Sequence, residues 1–539
     1  MPSPAIALAS LTWWRHRRGL AAVLALCIAA VFVFQLMSAE TLDEKNGGML
    51  ISVQFIMALA YVAAVFAYGF DCSLESAESG FPTRLFALPV RTRVLAGWPM
   101  LQGMAVAALL WSGWAYIVLR PAGFEVSPGF VALQAAAFVA TLQAILWWPF
   151  GLPWARVIVA LLALPTILFG PAIGRIYEVR EAWFIVLLSA LIPSAYVVAV
   201  TGISRARRGD NPRWRLHSRS RQAANLVDKR PLRSFRSPAC ALIWYEKRRH
   251  LLMYPLIVGC CAASLTALHL AFMDASSAVP LFLNFPFTAC LMAPIAGAFL
   301  GRSGIALGNP HPLGAFAATR PVTTAALAAA KLKTAVAATL VGWAVMLAFA
   351  AICFFDMGLQ RNAARFLDRA RSEGFLARAR AIVVLFVVVS PLFTWRLMID
   401  SLCASLTGRV WISRFNLLLY GLALPFGTML TASYSTDPAR YAFIVDNSAW
   451  WLGSAVAVKL LAATWVVRAN DRRGLVERRA LARLLCLWVA VAAALFVVAW
   501  EALSQEKVPA LTVAFGIILL LPLVRLFATP LAVNWDRHR

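Results

Sequence analysis

Long apolar runs recur along the whole sequence and constrain its fold more than any other feature. About fourteen of them reach roughly 20 residues, the length that an α-helix needs to cross the hydrocarbon core of a bilayer. The composition agrees, because 61% of the residues are hydrophobic, 14% are charged and the mean hydropathy is +0.75. These values lie outside the range of soluble domains. The sequence therefore predicts an all-α polytopic membrane protein.

The predicted spans form two groups, and the last two spans of the second group have no counterpart in the first. The first group is Gly19 to Met37, Met49 to Phe70, Gly97 to Leu119, Pro128 to Trp148, Val157 to Ile173 and Ala182 to Gly202. The second group is Leu251 to Phe272, Val279 to Leu300, Thr334 to Phe355, Ala381 to Ile399, Trp411 to Leu430, Trp450 to Val467, Leu484 to Leu503 and Val508 to Phe527. We therefore expect about 14 transmembrane helices, as two related six-helix halves plus two C-terminal helices.

The cations lie mainly in the short connections, although a net charge of +26 could also suit nucleic acid. Cytoplasmic connections of membrane proteins carry an excess of Lys and Arg. Nearly every second connection here is basic when the N-terminus is placed in the cytoplasm. Both termini and a basic linker are then cytoplasmic, and no nucleic-acid partner is expected. Residues 356–380 break the alternation, which indicates either an amphipathic helix on the outer surface or a miscounted span.

Two short stretches with the same order of residues precede the two groups of spans. Ser3-Pro4-Ala5 and Ser237-Pro238-Ala239 each combine an N-cap oxygen with a proline at the first helical position. An aromatic pair and a cationic cluster follow, which is typical of a helix at the membrane interface. We therefore predict two interfacial helices, which carry Trp13, Trp14, Arg17, Arg18, Trp244, Tyr245, Glu246, Arg248 and Arg249.

The order Pro, Phe, Pro-Val recurs between spans two and three of each group. It occurs in the first motif connection (residues 71–96) and in the second motif connection (residues 301–333). Trp111 and Trp343 keep the same spacing from the two Pro-Val pairs. Such a connection can form a short inner-surface helix that docks on a cytoplasmic partner, with Phe86 and Phe316 as apolar anchors. The alternative is an ordinary surface loop. The residues assigned to coupling are Pro82, Phe86, Pro89, Val90, Arg91, Pro312, Phe316, Arg320, Pro321 and Val322.

The paired interfacial stretches and the paired motif connections together predict an internal repeat. The alternative is that membrane sequences built from few residue types match by chance. We expect a first transmembrane half with its interfacial helix at residues 1–202 and a basic cytoplasmic linker at residues 203–236. A second half with its interfacial helix follows at residues 237–467. Residues 468–539 then hold a basic connection and two additional spans.

Six spans per half, an interfacial helix before the first span, and a Leu-Pro-Val or Arg-Pro-Val connection resemble the permease subunits of ABC-2 type transporters. The resemblance covers most of the chain. It implies a permease, in most members an exporter, that ATP-binding subunits move through inner-surface helices. The implied partners are two copies of such a subunit, with ATP and magnesium, at the plasma (inner) membrane of a bacterium. The last two spans depart from the family's pattern, which leaves their role open.

No Gly-x-x-x-x-Gly-Lys-[Ser/Thr] phosphate loop occurs in the sequence, and residues 204–236 are too few and too basic for a nucleotide-binding domain. Energy for transport must then come from elsewhere, and a separately encoded partner ATPase is the economical inference. The nine cysteines do not show the spacing of metal ligands. We therefore expect no cofactor, no enzyme activity and no catalytic or metal-binding residue in this chain.

Polar residues within the predicted spans are few. Lys459 is the most prominent, because a charge there costs about 3 kcal/mol unless it faces protein or water. It is either functional or directed towards one membrane surface. Glutamine and asparagine side chains could line a path or join helices by hydrogen bonds; they are Gln54, Gln102, Gln134, Gln143 and Asn284.

Two other classes of protein stay open at this stage. An ion-coupled secondary transporter would bind its ion with membrane-embedded carboxylates, whereas Asp71, Asp400 and Glu501 lie at span ends. An integral-membrane lipid or glycosyl transferase would need an acidic catalytic loop or a sizeable outer domain. The longest outer segment, Asp356 to Arg380, is short and basic.

Overall fold

The structure is a computed structural model of the full chain. It describes most of residues 6–28 and 58–72, the single positions 368, 371, 372 and 412, and residues 77–121, 127–152, 155–176, 178–210, 235–272, 278–301, 322–356, 376–409, 447–503 and 509–537. Helices, turns and irregular segments make up these residues, and no strand occurs among them. The chain divides into two compact units, whose described residues lie between Ile6 and Asp210 in unit 1 and between Phe235 and Arg537 in unit 2.

Unit 1 is built from long helices that coincide with the predicted spans. Its elements are a short 3₁₀-helix, Thr83–Ala87, and the α-helices α1 Thr92–Trp114, α2 Pro128–Trp147, α3 Ala155–Ile176 and α4 Glu181–Arg208. A π-helical turn, Ala115–Leu119, extends α1. The described residues between 6 and 28 and from 61 to 66 are also helical.

Unit 2 begins with the second predicted interfacial helix. Its helices are α5 Pro238–His250, α6 Met253–Phe272, α7 Ala278–Gly301, α8 Thr324–Asp356, α9 Leu376–Leu406, α10 Ser448–Arg472, α11 Arg478–Leu503, α12 Ala510–Leu520 and α13 Leu523–Arg537. The start of α5 has the predicted cap, because the Ser237 hydroxyl accepts a hydrogen bond from the Cys240 N–H at 3.3 Å and Pro238 follows at the first position.

Eight segments among the described residues are long and apolar enough to cross a membrane. They are α1 with its π-turn, α2, α4, α8, α9, α10, α11, and the stretch that contains α12 and α13. Two shorter apolar helical stretches lie at Ala155–Pro171 and Thr288–Gly301. These helices support the expectation of an all-α membrane protein. The predicted span from Trp411 to Leu430 lies outside the described residues, apart from Ile412.

The predicted last span, Val508 to Phe527, overlaps one candidate membrane span, Ala510–Arg537, but the helix is interrupted within it. The helix stops at Leu520 and a new one starts at Leu523, because Pro522 has no N–H with which to continue the hydrogen-bond ladder. The first piece, α12, has 11 residues and therefore rises about 16 Å, roughly half the thickness of the hydrocarbon core. The second piece, α13, has eight buried residues, among them Thr529, Pro530 and Asp536.

Helix α2 lies at the centre of unit 1, where 67% of its span is buried, compared with 17% for α4. Two of its glutamines join it to neighbouring segments. The Gln134 side-chain amide donates to the carbonyls of Ile167 and Leu168 in α3, at 2.9 and 2.8 Å. The Gln143 amide donates to the carbonyls of Phe66 and Pro99, at 3.1 and 3.2 Å. Both glutamines therefore hold helices together, which was one of their two predicted roles.

Glycines let α7 and α9 approach closely in unit 2. A Cβ atom at Gly297 would overlap the backbone of Met398, and one at Gly301 would overlap Ser405. These glycines are four residues apart on one face of α7. Such pairs of small residues allow helix backbones to pack directly in membrane proteins.

Candidate functional site

The first motif connection contains the predicted short helix, which is the 3₁₀-helix Thr83–Ala87. Its outer side presents Thr83, Arg84, Ala87, Leu88 and Pro89 as exposed residues. Pro82 is buried, Val90 is half-buried and Arg91 is exposed. The assigned coupling residues of this connection therefore do not share one surface.

Aromatic packing supports the inner side of this connection. Phe81 is 2% exposed and packs edge-on against Trp147 at the end of α2, with ring centroids 5.3 Å apart. Phe86 is half-buried and stacks on Phe81, with centroids 5.7 Å apart. The predicted anchor Phe86 thus packs against its own unit along one face of its ring.

Hydrogen bonds join the start of the connection to the last turn of α2. The Ser79 hydroxyl donates to the Trp147 carbonyl at 2.6 Å, and the Gly80 N–H donates to the Leu146 carbonyl at 2.9 Å. The carbonyls at the end of a helix have no partner within it, so these bonds satisfy two of them. Position 80 has no room for a side chain, because a Cβ atom on Gly80 would lie 2.7 Å from the Leu146 carbonyl oxygen.

Two arginines hold the two ends of the first motif connection. Arg156 of α3 is 1% exposed and donates to the carbonyls of Glu78 and Trp148. Arg207, in the last turn of α4, donates from Nη1 to the Val90 carbonyl at 2.9 Å and from Nη2 to the Leu88 carbonyl at 3.0 Å. The 3₁₀-helix is therefore fixed to α2, α3 and α4.

Most of the second motif connection lies outside the described residues, including Pro312, Phe316, Arg320 and Pro321. Its last motif residue, Val322, is described. The Val322 carbonyl accepts a hydrogen bond of 2.6 Å from Nη1 of Arg537, the last residue of α13. The valine carbonyl of each Pro-Val pair thus binds an arginine at the end of a helix that lies far away in sequence.

The start of the second motif connection lies beside a buried cluster of charged and polar side chains. Lys331 of α8 is 1% exposed and Glu246 of α5 is 3% exposed. Lys331 Nζ lies 3.3 Å from Glu246 Oε2 and donates to the Leu300 carbonyl, at the end of α7, at 2.9 Å. One lysine therefore links α5, α7 and α8.

His250 completes this cluster, with its Nε2 3.8 Å from Glu246 Oε2. Burial, together with Lys331 and Arg249, lowers the pKa of His250 to about 2. His250 is therefore neutral, and Lys331 is the cation that balances the Glu246 carboxylate. The interfacial-helix prediction gave Glu246 a surface position, which was wrong because a lysine 85 residues away pairs with it in the interior.

Of the remaining residues assigned to the two interfacial helices, Arg17 and Arg248 are exposed, whereas Tyr245 and Arg249 are half-buried. Trp13, Trp14 and Trp244 are exposed. The Arg17 guanidinium lies 4.0 Å above the Trp14 ring, and Arg248 lies 5.1 Å above the Trp244 ring. Tyr245 accepts a hydrogen bond from Arg249 at 3.1 Å. Arg18 lies outside the described residues.

Lys459 binds the broken helix that ends at Leu520. Its Nζ donates to the carbonyls of Ile518, Leu519 and Leu521, at 2.6, 2.9 and 2.5 Å. The first two carbonyls belong to the last turn of α12 and the third to its C-cap residue, at the helix end where carbonyls lack intrahelical partners and the dipole is negative. The lysine therefore caps a helix end, which accounts for its charge within an apolar run.

A further charged group joins α9 to α13. Asp400 lies 3.7 Å from Arg396 on the same helix and 3.4 Å from Arg525 in the first turn of α13. The sequence analysis placed Asp400 at a span end. The partner that sequence reasoning missed is Arg525, which lies within the predicted span Val508 to Phe527.

Within the part of the chain that the structure describes, no group of three or more His, Cys, Asp or Glu residues lies close enough to bind a metal ion. Among the described residues, the first motif connection combines exposed side chains with a geometry that Arg156 and Arg207 fix. Comparison with known proteins adds no relative: the chain matches no protein-family model, no curated protein and no solved structure.

Proposed function

We propose that this chain is the permease subunit of an ATP-driven transporter, acting as an exporter, and that a separate ATP-binding subunit docks on the first motif connection. The proposal rests on one observation: the connection exposes one side and is hydrogen-bonded to long helices on the other. Its outer side is exposed at Arg84, Leu88 and Pro89. Its inner side is bonded to the ends of three long helices.

A short helix that is attached in this way can transmit movement. A partner that displaces the exposed side would pull on α2 through Ser79, on α3 through Arg156 and on α4 through Arg207, and would turn α1, which follows directly. A loop held only by its two chain ends would absorb the same displacement. The hydrogen bonds to the helix ends therefore favour coupling over an ordinary surface loop.

The exposed residues also define the chemistry of the contact. Leu88 is 36% exposed and offers an apolar side chain to a groove, while Arg84 offers a guanidinium to acidic groups at its rim. Phe86 holds the shape of the connection through Phe81 and reaches the partner with the free edge of its ring. We expect Phe316 to act in the same way in the second motif connection.

The wider proposal follows from the sequence and the helical fold together. The chain forms about 14 spans as two related halves with two further helices, and both termini are cytoplasmic in the inner membrane of a bacterium. Two copies of the ATP-binding subunit bind ATP and magnesium. Among the described carboxylates, Glu246 and Asp400 each pair with a cation, which favours ATP over a coupling ion as the energy source.

Photo-crosslinking tests the docking site directly. A benzophenone amino acid placed at Leu88, in cells that normally produce the protein, is expected to capture a subunit with a phosphate loop and ATPase activity. The same probe at Tyr116, 64% exposed near the other end of α1, is the control. Capture of the same ATPase from both positions, or of lipid alone from Leu88, would contradict the proposal.

Charge reversal provides a second test. The double variant Arg84→Glu/Leu88→Asp should lower the ATPase activity that co-purifies with the chain more than tenfold, since it removes both contacts. The matched control is Val179→Asp/Arg180→Glu, which changes an exposed pair before the first turn of α4. Equal recovery of ATPase activity with both double variants would assign the docking site elsewhere.

A further inference from the structure

A groove with a volume of about 520 Å³ runs along the surface of unit 1 between α1 and α4. Its walls are almost entirely apolar, and they are formed by Gly97, Trp98, Leu101, Met104, Ile192 and Pro193. Arg93 lines one end. Because both helices are candidate membrane spans, the groove is positioned to face lipid rather than water.

The shape of the groove depends on two residues. Gly97 has no side chain, and a Cβ atom there would already meet the Tyr196 ring at 3.4 Å. Any side chain longer than alanine would therefore occupy the groove itself. At the Arg93 end, the Tyr196 hydroxyl donates to the Arg93 carbonyl at 3.3 Å, which holds α4 against the first turn of α1 and closes the floor of the groove.

Positive charge collects at this end. Arg91 and Arg93 are both exposed, and the Arg93 guanidinium has no hydrogen-bond or ion-pair partner among the described residues. The first turn of α1 contains no acidic residue, and no side chain caps its N-terminus. The helix dipole therefore adds to the charge of the arginines.

We propose that this groove binds one anionic phospholipid, with an acyl chain between α1 and α4 and the phosphate at Arg93. The apolar walls match the chain, and the arginine together with the helix end matches the anionic headgroup. The pairing of both features at one groove distinguishes this site from ordinary contact with bilayer lipid. The proposal is independent of the transport function, since it concerns only lipid binding.

Native mass spectrometry of the purified full chain, titrated with phosphatidylglycerol, tests the proposal. We expect one phosphatidylglycerol to bind more tightly than phosphatidylcholine with the same acyl chains. Arg93→Gln should weaken that first binding step about fivefold. Gly97→Leu should reduce the binding of both lipids at this site, because it fills the groove.

Matched controls lie on the same helix. Gly113→Leu introduces the same side chain where an added Cβ atom would meet no other atom within 4 Å, and Arg120→Gln removes a cation near the opposite end. Both should bind phosphatidylglycerol like the unaltered chain. Equal affinity for the two lipids, or an unchanged first step in Arg93→Gln, would overturn the proposal. Displacement of the lipid by glycerol phosphate at the same concentration would also overturn it, because the groove would then contribute nothing.

Discussion

The guanidinium of Arg207 donates a hydrogen bond of 2.9 Å to the carbonyl of Val90, across 117 residues of sequence. In unit 2, Arg537 makes the corresponding bond of 2.6 Å to the Val322 carbonyl. Each arginine comes from the last turn of a helix. Helix α13, to which the sequence assigned no role, therefore attaches to the second motif connection as α4 attaches to the first.

Replacement of Arg207 should loosen the first motif connection. Arg207→Met removes two charge-assisted hydrogen bonds, to the carbonyls of Leu88 and Val90. We expect faster amide hydrogen exchange across residues 82–90, with little change in the helix interiors. Arg208→Met, which alters an exposed neighbour that pairs with Asp210, is the control. Equal exchange in both variants would show that Arg207 does not hold the connection.

Loss of Lys331 should destabilise unit 2 strongly. Lys331→Met leaves the Glu246 carboxylate buried without its cation, which costs about 3–5 kcal/mol in comparable cases. The double variant Glu246→Leu/Lys331→Met removes both charges and should recover much of this loss. Thermal unfolding in detergent measures the difference, with the exposed Lys333→Met as control. A double variant less stable than Lys331→Met would refute the ion-pair account.

The stability of unit 2 should fall with acidification because of His250. The folded-state pKa of His250 is about 2, below its ordinary value of 6.5, so below pH 6.5 only the unfolded state gains the proton. The contribution of neutral His250 to the free energy of unfolding is therefore fully present above pH 6.5. Below pH 6.5 it decreases by up to about 1.4 kcal/mol per pH unit. Urea unfolding should give a lower free energy of unfolding at pH 5 than at pH 7. The difference should be smaller in His250→Gln than in the unaltered chain. The same drop in both proteins would assign the effect to other groups.

We expect Lys459 to have a structural role at the break between α12 and α13 and no direct role in transport. Lys459→Met removes the side-chain donor to the carbonyls of Ile518, Leu519 and Leu521 at the end of α12, and we expect a loss of about 1–3 kcal/mol in unfolding free energy. Lys459→Arg, which keeps the charge and donors, should lose less. Arg468→Met changes an exposed cation on the same helix and serves as the control. Full stability of Lys459→Met, together with lost transport, would instead indicate a role in the transport path.

The sequence alone determined the helical class, the positions of the eight membrane-length helical segments among the described residues, and the start of α5. These features depend on local properties. A run of apolar residues forms a helix because its backbone bonds are internal, and Ser237 with Pro238 caps a helix through a hydroxyl three residues from its partner. Pro522 was also a local signal for a helix end. Because apolar residues continue on both sides of it, the sequence analysis assigned them to a single span.

Only the tertiary structure decided which of the polar residues act together. Lys331 meets Glu246 across 85 residues, and Arg537 meets Val322 across 215. Phe86 faces its own unit because Phe81 packs on Trp147, a contact that depends on where α2 ends. Hydropathy and capping specify where helices form, but the partner of a buried charge depends on how those helices pack, and one sequence does not encode that packing in any short pattern.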